Sequence, residues 1–126
     1  MRVAVIDDDG LMAEVAAKHL RRAGHDPQCF IDSRQGVQAV ESGRFDVLVT
    51  DVVMPEMDGI EVIRRLRKTH PGLHIVAMSG GSNRLPSDMM LTISSALGAD
   101  QVLYKPFLRE DFIAAVEGRP RPTART

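Results

Sequence analysis

A single cysteine, Cys29, rules out an intrachain disulfide in this chain of 126 residues. It lies in a short apolar stretch and is expected to act as a small buried hydrophobe, not as a nucleophile. Neither sign of charge is in excess: Lys plus Arg number 16 and Asp plus Glu 17, a net charge of −1. That balance excludes the broad basic footprint by which a domain holds nucleic acid or an anionic membrane surface. No apolar run approaches the roughly 20 residues needed to span a bilayer. The first residues enter strand-like sequence at once, with no signal-peptide pattern, so the expected location is the cytoplasm. The four histidines, His19, His25, His70 and His74, show no zinc-ligand spacing with one another or with Cys29. Internal repeats and low-complexity segments are also lacking.

What the chain does have is 44% apolar residues in a length that suits one ordinary domain. Short apolar runs alternate with helix-period segments. Val3 to Ile6 is a continuous apolar run, as expected of a strand covered on both faces. Residues 10–23 read as a helix whose apolar stripe is Leu11, Val15, Ala16, His19 and Leu20. Residues 28–31 form a short strand candidate with Pro27 at its start. A second helix is expected from a Ser33 cap to Gly43. Residues 45–50 give the next buried strand. Asp58, with Glu61 three residues on, resembles a capping box before a third helix. That helix is expected to turn Ile60, Ile63 and Leu66 inward and Arg64, Arg65, Arg67 and Lys68 outward. A strand over 73–78, a loop over 80–86, a helix from Ser87 or Asp88 to Gly98, a strand over 102–104 and a helix over 109–117 complete the pattern. The unit is expected to span residues 1–118, and residues 119–126 to form a flexible basic Pro-rich tail or linker stub. Five strand–helix alternations imply an α/β fold with a five-stranded parallel sheet, doubly wound, with five helices.

In such sheets the site lies at the carboxyl ends of the strands. Asp7, Asp8, Asp51, Ser79 and Lys105 all fall at predicted strand ends. Clustered carboxylates repel, and a hard divalent cation with oxygen ligands relieves that repulsion. Asp8 and Asp51 are placed to ligate it directly, Asp7 through a water, and a backbone carbonyl after Asp51 completes the set. Asp51 also suits the role of nucleophile, taking a phosphoryl group as a mixed anhydride. The task is then mostly positioning and neutralising charge on the equatorial oxygens. The Lys105 ammonium serves as a point charge, and the Ser79 hydroxyl donates to a remaining oxygen.

These residues and their surroundings resemble the receiver domain of two-component response regulators, in its single-domain form. The resemblance rests on Val-Ile-Asp7-Asp8, Asp51-Val-Val-Met-Pro-Glu-Met-Asp-Gly59, Ala-Met-Ser79-Gly, Gly98-Ala-Asp100 and Lys105-Pro106-Phe107, in this order and spacing. It implies the flavodoxin-like strand order 2-1-3-4-5. It also implies a phosphorylation-dependent switch in a phosphorelay. Asp51 would accept a phosphoryl group from a histidine kinase or histidine phosphotransfer protein. Asp7, Asp8, Asp51 and the Val53 carbonyl would hold Mg2+ or Mn2+. Ser79 would be the switch hydroxyl and Lys105 the phosphoryl contact, followed by a cis bond to Pro106. The output would be a changed affinity for a downstream effector protein. Such a protein is not an enzyme beyond its own phosphorylation and slow autodephosphorylation.

The chain departs from the family pattern at Val102, where Phe or Tyr usually stands three residues before the lysine. The usual switch couples rotation of that ring to movement of the hydroxyl residue, and valine is stiff at χ1. Tyr104, two residues on, shares the strand face of Val102. Val53 and Gly81, two residues after Asp51 and Ser79, cannot position water by a side-chain hydrogen bond. Residues 80–86 read either as a lid beside the site or as a passive surface loop. Met89, Met90, Leu91, Ile93 and Leu97 give the fourth helix more apolar surface than one face buries: an adaptable partner surface or a deeply docked helix. Two rival functions remain. A phosphate-independent binding module would keep the fold without the chemistry. A haloacid-dehalogenase-type phosphatase would use Asp7 as nucleophile and Asp9 as general acid, from the Asp7-x-Asp9-Gly10 run.

Overall fold

The computed structural model describes residues 1–52, 54, 58–79, 92 and 95–118. Its elements are β1 (Arg2–Ile6), α1 (Gly10–Arg22), β2 (Asp26–Phe30), α2 (Ser33–Ser42), β3 (Val47–Asp51), α3 (Gly59–Thr69), β4 (His74–Ser79), β5 (Gln101–Tyr104) and α4 (Arg109–Val116). A fifth helix, between β4 and β5 in the chain, is described at Thr92 and residues 95–97. The 80–86 loop, the methionines of that helix and the 119–126 tail lie outside the described residues. All strand pairings are parallel, in the order β2-β1-β3-β4-β5. This is the doubly wound, flavodoxin-like sheet that the alternation and the resemblance imply.

The strands that flank the site have no polar alternation because both faces are covered. All five residues of β3 are buried. On one face Ala4, Ile6, Leu48, Ile75 and Ala77 meet Val37 and Val40 of α2 and Val62, Ile63 and Leu66 of α3. On the other, Val3, Val5, Val49 and Val76 meet Ala13, Ala16 and Leu20 of α1 and Phe112, Ala115 and Val116 of α4. Each fully buried Leu, Ile or Val contributes about 1.5–3 kcal/mol, so the site stands on rigid supports. β2, with Pro27, sits at the sheet edge, where a residue without an amide hydrogen is tolerated. Among the described residues no helix is long and apolar enough to cross a membrane.

Three local readings are corrected. α1 buries Ala13, Ala16, Ala17 and Leu20, while Leu11 is 73% and Val15 41% exposed. Small side chains let the helix lie close to the sheet, so three alanines and Leu20 define its inner face, and Leu11 and Val15 do not. The cap of α2 is Asp32, whose carboxylate accepts the Arg34 and Gln35 amides; Ser33 is the first helical residue. Arg67 does not point outward. Its guanidinium donates to the Gly98, Pro71 and Leu73 carbonyls and to Asp100 Oδ2 at 2.7–3.0 Å. Asp100 in turn accepts the Ile75 amide at 2.8 Å, so one arginine ties the end of α3 to the entry of β5. The Asp58 cap on α3 is as expected, accepting the Glu61 amide at 3.0 Å.

The start of α3 is pressed onto the end of β3, where Asp51 sits. The Gly59 amide donates to the Val52 carbonyl at 2.7 Å. A Cβ at Gly59 would lie 2.6 Å from Val52 Cα and closer still to the Asp51 carbonyl oxygen, both backbone atoms. Alanine in a helix normally gains up to about 1 kcal/mol over glycine. Overpacking against rigid backbone costs about 1–3 kcal/mol. Gly59→Ala is therefore expected to be net destabilising, read as a lowered urea midpoint with an unchanged m-value.

Candidate functional site

Asp7 and Asp8 follow β1, Asp51 ends β3, Ser79 ends β4, and Lys105 follows β5. The sheet order brings all five to one edge. Asp7 is 1% exposed. Its Oδ1 accepts the Asp9 amide at 3.0 Å and its Oδ2 accepts from Lys105 Nζ at 3.0 Å. The same ammonium lies 3.6 Å from Asp51 Oδ1, which also accepts the Val52 amide at 3.0 Å. Asp8 is exposed at the mouth. Ligand oxygens of Asp7, Asp8 and Asp51 all lie within 4.8 Å of one another. The Lys105 amide donates to the Ser79 carbonyl at 2.8 Å, and the Lys105–Pro106 bond is cis, as the resemblance implies. Ser79 is buried, and its Oγ has no hydrogen-bond partner among the described residues. Val53 lies outside them.

Burial pushes the Asp51 carboxyl up to about 6 from 3.8. The Lys105 ammonium pulls it down, the Asp7 and Asp8 charges push it up, and the Val52 amide pulls it down. Burial alone would lower Lys105. The carboxylates of Asp51 and Asp7 outweigh that and hold it above the usual lysine range, so the ammonium stays charged. Three carboxylates thus face one ammonium in a half-dry cleft. An all-oxygen donor set with surplus negative charge fits a hard divalent cation such as Mg2+ or Mn2+. The unpartnered Ser79 hydroxyl fits an acceptor oxygen that would arrive with a ligand. Together the groups can neutralise and orient a phosphoryl oxygen cluster next to the Asp51 carboxylate.

Several residues outside this cluster have structural partners. Asp9 caps α1, accepting the Leu11 and Met12 amides through Oδ1 at 3.1 and 3.3 Å. Its place directly before a helix was the signal for this. Cys29, half-buried against the α1 side of the core, donates weakly to the Ala13 carbonyl, and burial pushes its thiol up. His25 pairs with Glu117 at 2.8 Å, and His74 Nε2 lies 2.7 Å from the Ala115 carbonyl, both at the opposite edge of the sheet. Val102 is half-buried against the α2–α3 core beside Leu97 and Ala99. Tyr104 is exposed.

The profile of the response regulator receiver domain matches residues 3–117. The chain is 35% identical over 95% of its length to the DNA-binding response regulator MtrA of Mycolicibacterium paratuberculosis, covering 51% of that protein. It spans about half the length of the curated relatives it matches. Chemotaxis protein CheY4 of Vibrio cholerae superposes with a TM-score of 0.82 at 25% identity, over 94% of this chain and 98% of that one. A structure of Thermotoga maritima TrrA in complex with Mg(2+)-BeF superposes with a TM-score of 0.81 at 23% identity, over 93% and 96%.

The raised Asp51 carboxyl yields a stability prediction for chelator-treated protein. A carboxyl that titrates higher in the folded than in the unfolded state favours folding while protonated. That benefit is lost as pH rises from about 4 through about 6. At pH 7.5 the ionised Asp51 then costs about 3 kcal/mol. Asp51→Asn is expected to raise the urea-unfolding free energy by about that amount at pH 7.5 and by little at pH 4. With the profile running over nearly the whole chain, the protein belongs to the response regulator receiver domain family of two-component signalling.

Proposed function

We propose that Asp51 accepts a phosphoryl group from a histidine kinase or histidine phosphotransfer protein and that this switches the affinity of residues 1–118 for a downstream effector protein. The observation that carries the reading is the buried, uphill Asp51 carboxylate, 3.6 Å from Lys105 Nζ, at the edge where Ser79 Oγ lies unpartnered. In the transfer, Asp51 attacks phosphorus, the bond from phosphorus to the donor imidazole nitrogen breaks, and the imidazole leaves. Lys105 and Ser79 then hold phosphoryl oxygens. Family receivers bind Mg2+ at an acidic pocket. In this chain Asp7, Asp8, Asp51 and the Val53 carbonyl would hold Mg2+ or Mn2+, which when bound neutralises charge on the transferring group. A cytoplasmic protein acting through protein partners fits the net charge of −1, which offers no basic footprint for DNA.

Asp7 is a poor nucleophile by comparison. Both its oxygens are engaged, by the Asp9 amide and Lys105, and the Asp9 carboxylate is committed to capping α1. This weighs against a dehalogenase-type reaction. Incubation with a phosphorylated histidine phosphotransfer protein and Mg2+ is expected to label the wild type and leave Asp51→Asn unlabelled, with chelator abolishing the labelling. Labelling that survives Asp51→Asn would transfer the role to Asp7. Effector capture that Asp51→Ala does not change would instead favour the phosphate-independent module.

Val53 and Gly81 offer no side-chain hydrogen bond to an attacking water. The phosphorylated protein, freed of donor, is expected to keep its label well beyond seconds. Loss within seconds, followed on a phosphate-affinity gel, is the contrary result.

A further inference from the structure

α2 and α3 lie on one face of the sheet, docked through Val37, Val40, Val62, Ile63 and Leu66. Above that shared core their outer surfaces part. The cleft between them has a volume of about 420 Å³ and is lined by Arg34, Val37, Gln38, Glu41 and Arg65. Positions 34, 37, 38 and 41 follow the i, i+3, i+4, i+7 spacing of one helical stripe, so α2 gives the cleft a continuous wall. Val37 is 2% exposed and makes an apolar floor. The other four residues are exposed and stand around it.

The donors on these walls are only partly spent. Arg65 gives Nε and Nη2 to the Glu41 carboxylate at 3.1 and 3.3 Å, and its Nη1 takes no part in that pair. The Arg34 amide is bonded to the Asp32 cap, while the Arg34 guanidinium has no partner among the described residues. Two guanidinium groups against one carboxylate leave one positive charge in surplus. A guanidinium fork matches a planar carboxylate with two parallel hydrogen bonds. The Glu41–Arg65 pair shows the cleft already holding a carboxylate in that way, and so exposed a pair is weakly held.

We infer that the α2–α3 cleft is a binding site for a small carboxylic acid with an apolar body, taken as its monoanion. The inference does not rest on the reading of Asp51. The Arg34 fork and Nη1 of Arg65 receive the carboxylate, and the Gln38 carboxamide supplies a further donor. The body lies on Val37 and the aliphatic stem of Arg65. A single surplus charge suits a monoanion, whereas the second charge of a phosphate ester meets Glu41. The walls belong to helices fixed by the core, so the site is preformed. Its volume falls within the roughly 300–1,000 Å³ of small-ligand sites.

The test titrates the full chain, kept in chelator, with benzoate as the probe. Proton–nitrogen correlation NMR follows the amides of Val37 and Gln38 and the Nε–H of Arg34 and Arg65. Saturable shifts at these four positions are expected. Benzamide, which lacks the charge, and acetate, which lacks the body, are expected to shift them far less at the same concentration. Arg34→Gln is expected to weaken benzoate binding about tenfold, the loss of one charge-assisted fork. Glu41→Gln frees the Arg65 fork and is expected to tighten binding. Both substitutions are at exposed positions, where the fold tolerates them. Shifts that do not saturate, equal shifts with benzamide, or an unchanged affinity in Arg34→Gln overturn the inference. Weaker binding in Glu41→Gln also overturns it, and tighter binding of phenyl phosphate than of benzoate overturns the carboxylate assignment.

Discussion

One ammonium organises the carboxyl edge of this sheet. Lys105 Nζ lies 3.0 Å from Asp7 and 3.6 Å from Asp51. The strand order puts β4 between β5 and β3, and β1 beyond β3. With neighbouring strands about 4.8 Å apart, the Lys105 backbone starts two spacings from Asp51 and three from Asp7. Only a side chain as long as lysine or arginine crosses that gap, and lysine ends in a compact charge that fits between two carboxylates. Every other feature of the edge answers to this reach. The Lys105 amide bond to Ser79 fixes where the side chain starts, and the Arg67–Asp100 tie fixes where β5 enters the sheet. Gly59 lets α3 press against the end of β3 and so fixes where Asp51 stops.

Much of this was legible because strand ends are legible. A run such as Val47 to Thr50, apolar on both faces and closed by Asp51, states its own boundary. Four such boundaries, those of β1, β3, β4 and β5, mark the site. The strand order itself is not written in local pattern and came only with the resemblance. The helix faces were read less well. A stripe drawn through the bulkiest apolar residues chose Leu11 and Val15 on α1, and the structure buries Ala13 and Ala17 instead. Hydrophobicity ranks leucine above alanine. Distance to the sheet decides the matter the other way, and that distance is a tertiary quantity.

Arg67 failed for the opposite reason. On a helical wheel an arginine among Arg64, Arg65 and Lys68 belongs to the wet face, and for Arg64, paired with Glu61, that is correct. Arg67 is one turn from the end of α3, where carbonyls run out of helical partners. Its five donors are taken up by carbonyls from two separate stretches of backbone, 71–73 and Gly98, and by Asp100. A fork with that many donors satisfies them where loops converge, and nothing in the sequence around Arg67 marks the convergence. Asp9 carries a similar lesson. Read as chemistry it made a second acidic motif with Asp7. Read as local structure it is the residue before a helix, and the structure uses it as the cap.

The site and the packing around it follow two different rules of the same sheet. Where the strands stop decides the chemistry, and that is why Asp7, Asp51, Ser79 and Lys105 converge whatever their neighbours are. Which way a side chain faces decides what it packs against, and that alternates with period 2 along β5. Val102 pairs with Ala77 and Tyr104 with Ser79, both on the α2–α3 face, while Leu103 faces the core of α1 and α4. Displacing the aromatic residue by one position would bury it against Phe112 and cut it off from the hydroxyl. Displacing it by two keeps it on the same face and brings it one pleat nearer Ser79. The replacement of a ring by valine at 102 therefore removes an aromatic from the core without removing one from the face that adjoins the site.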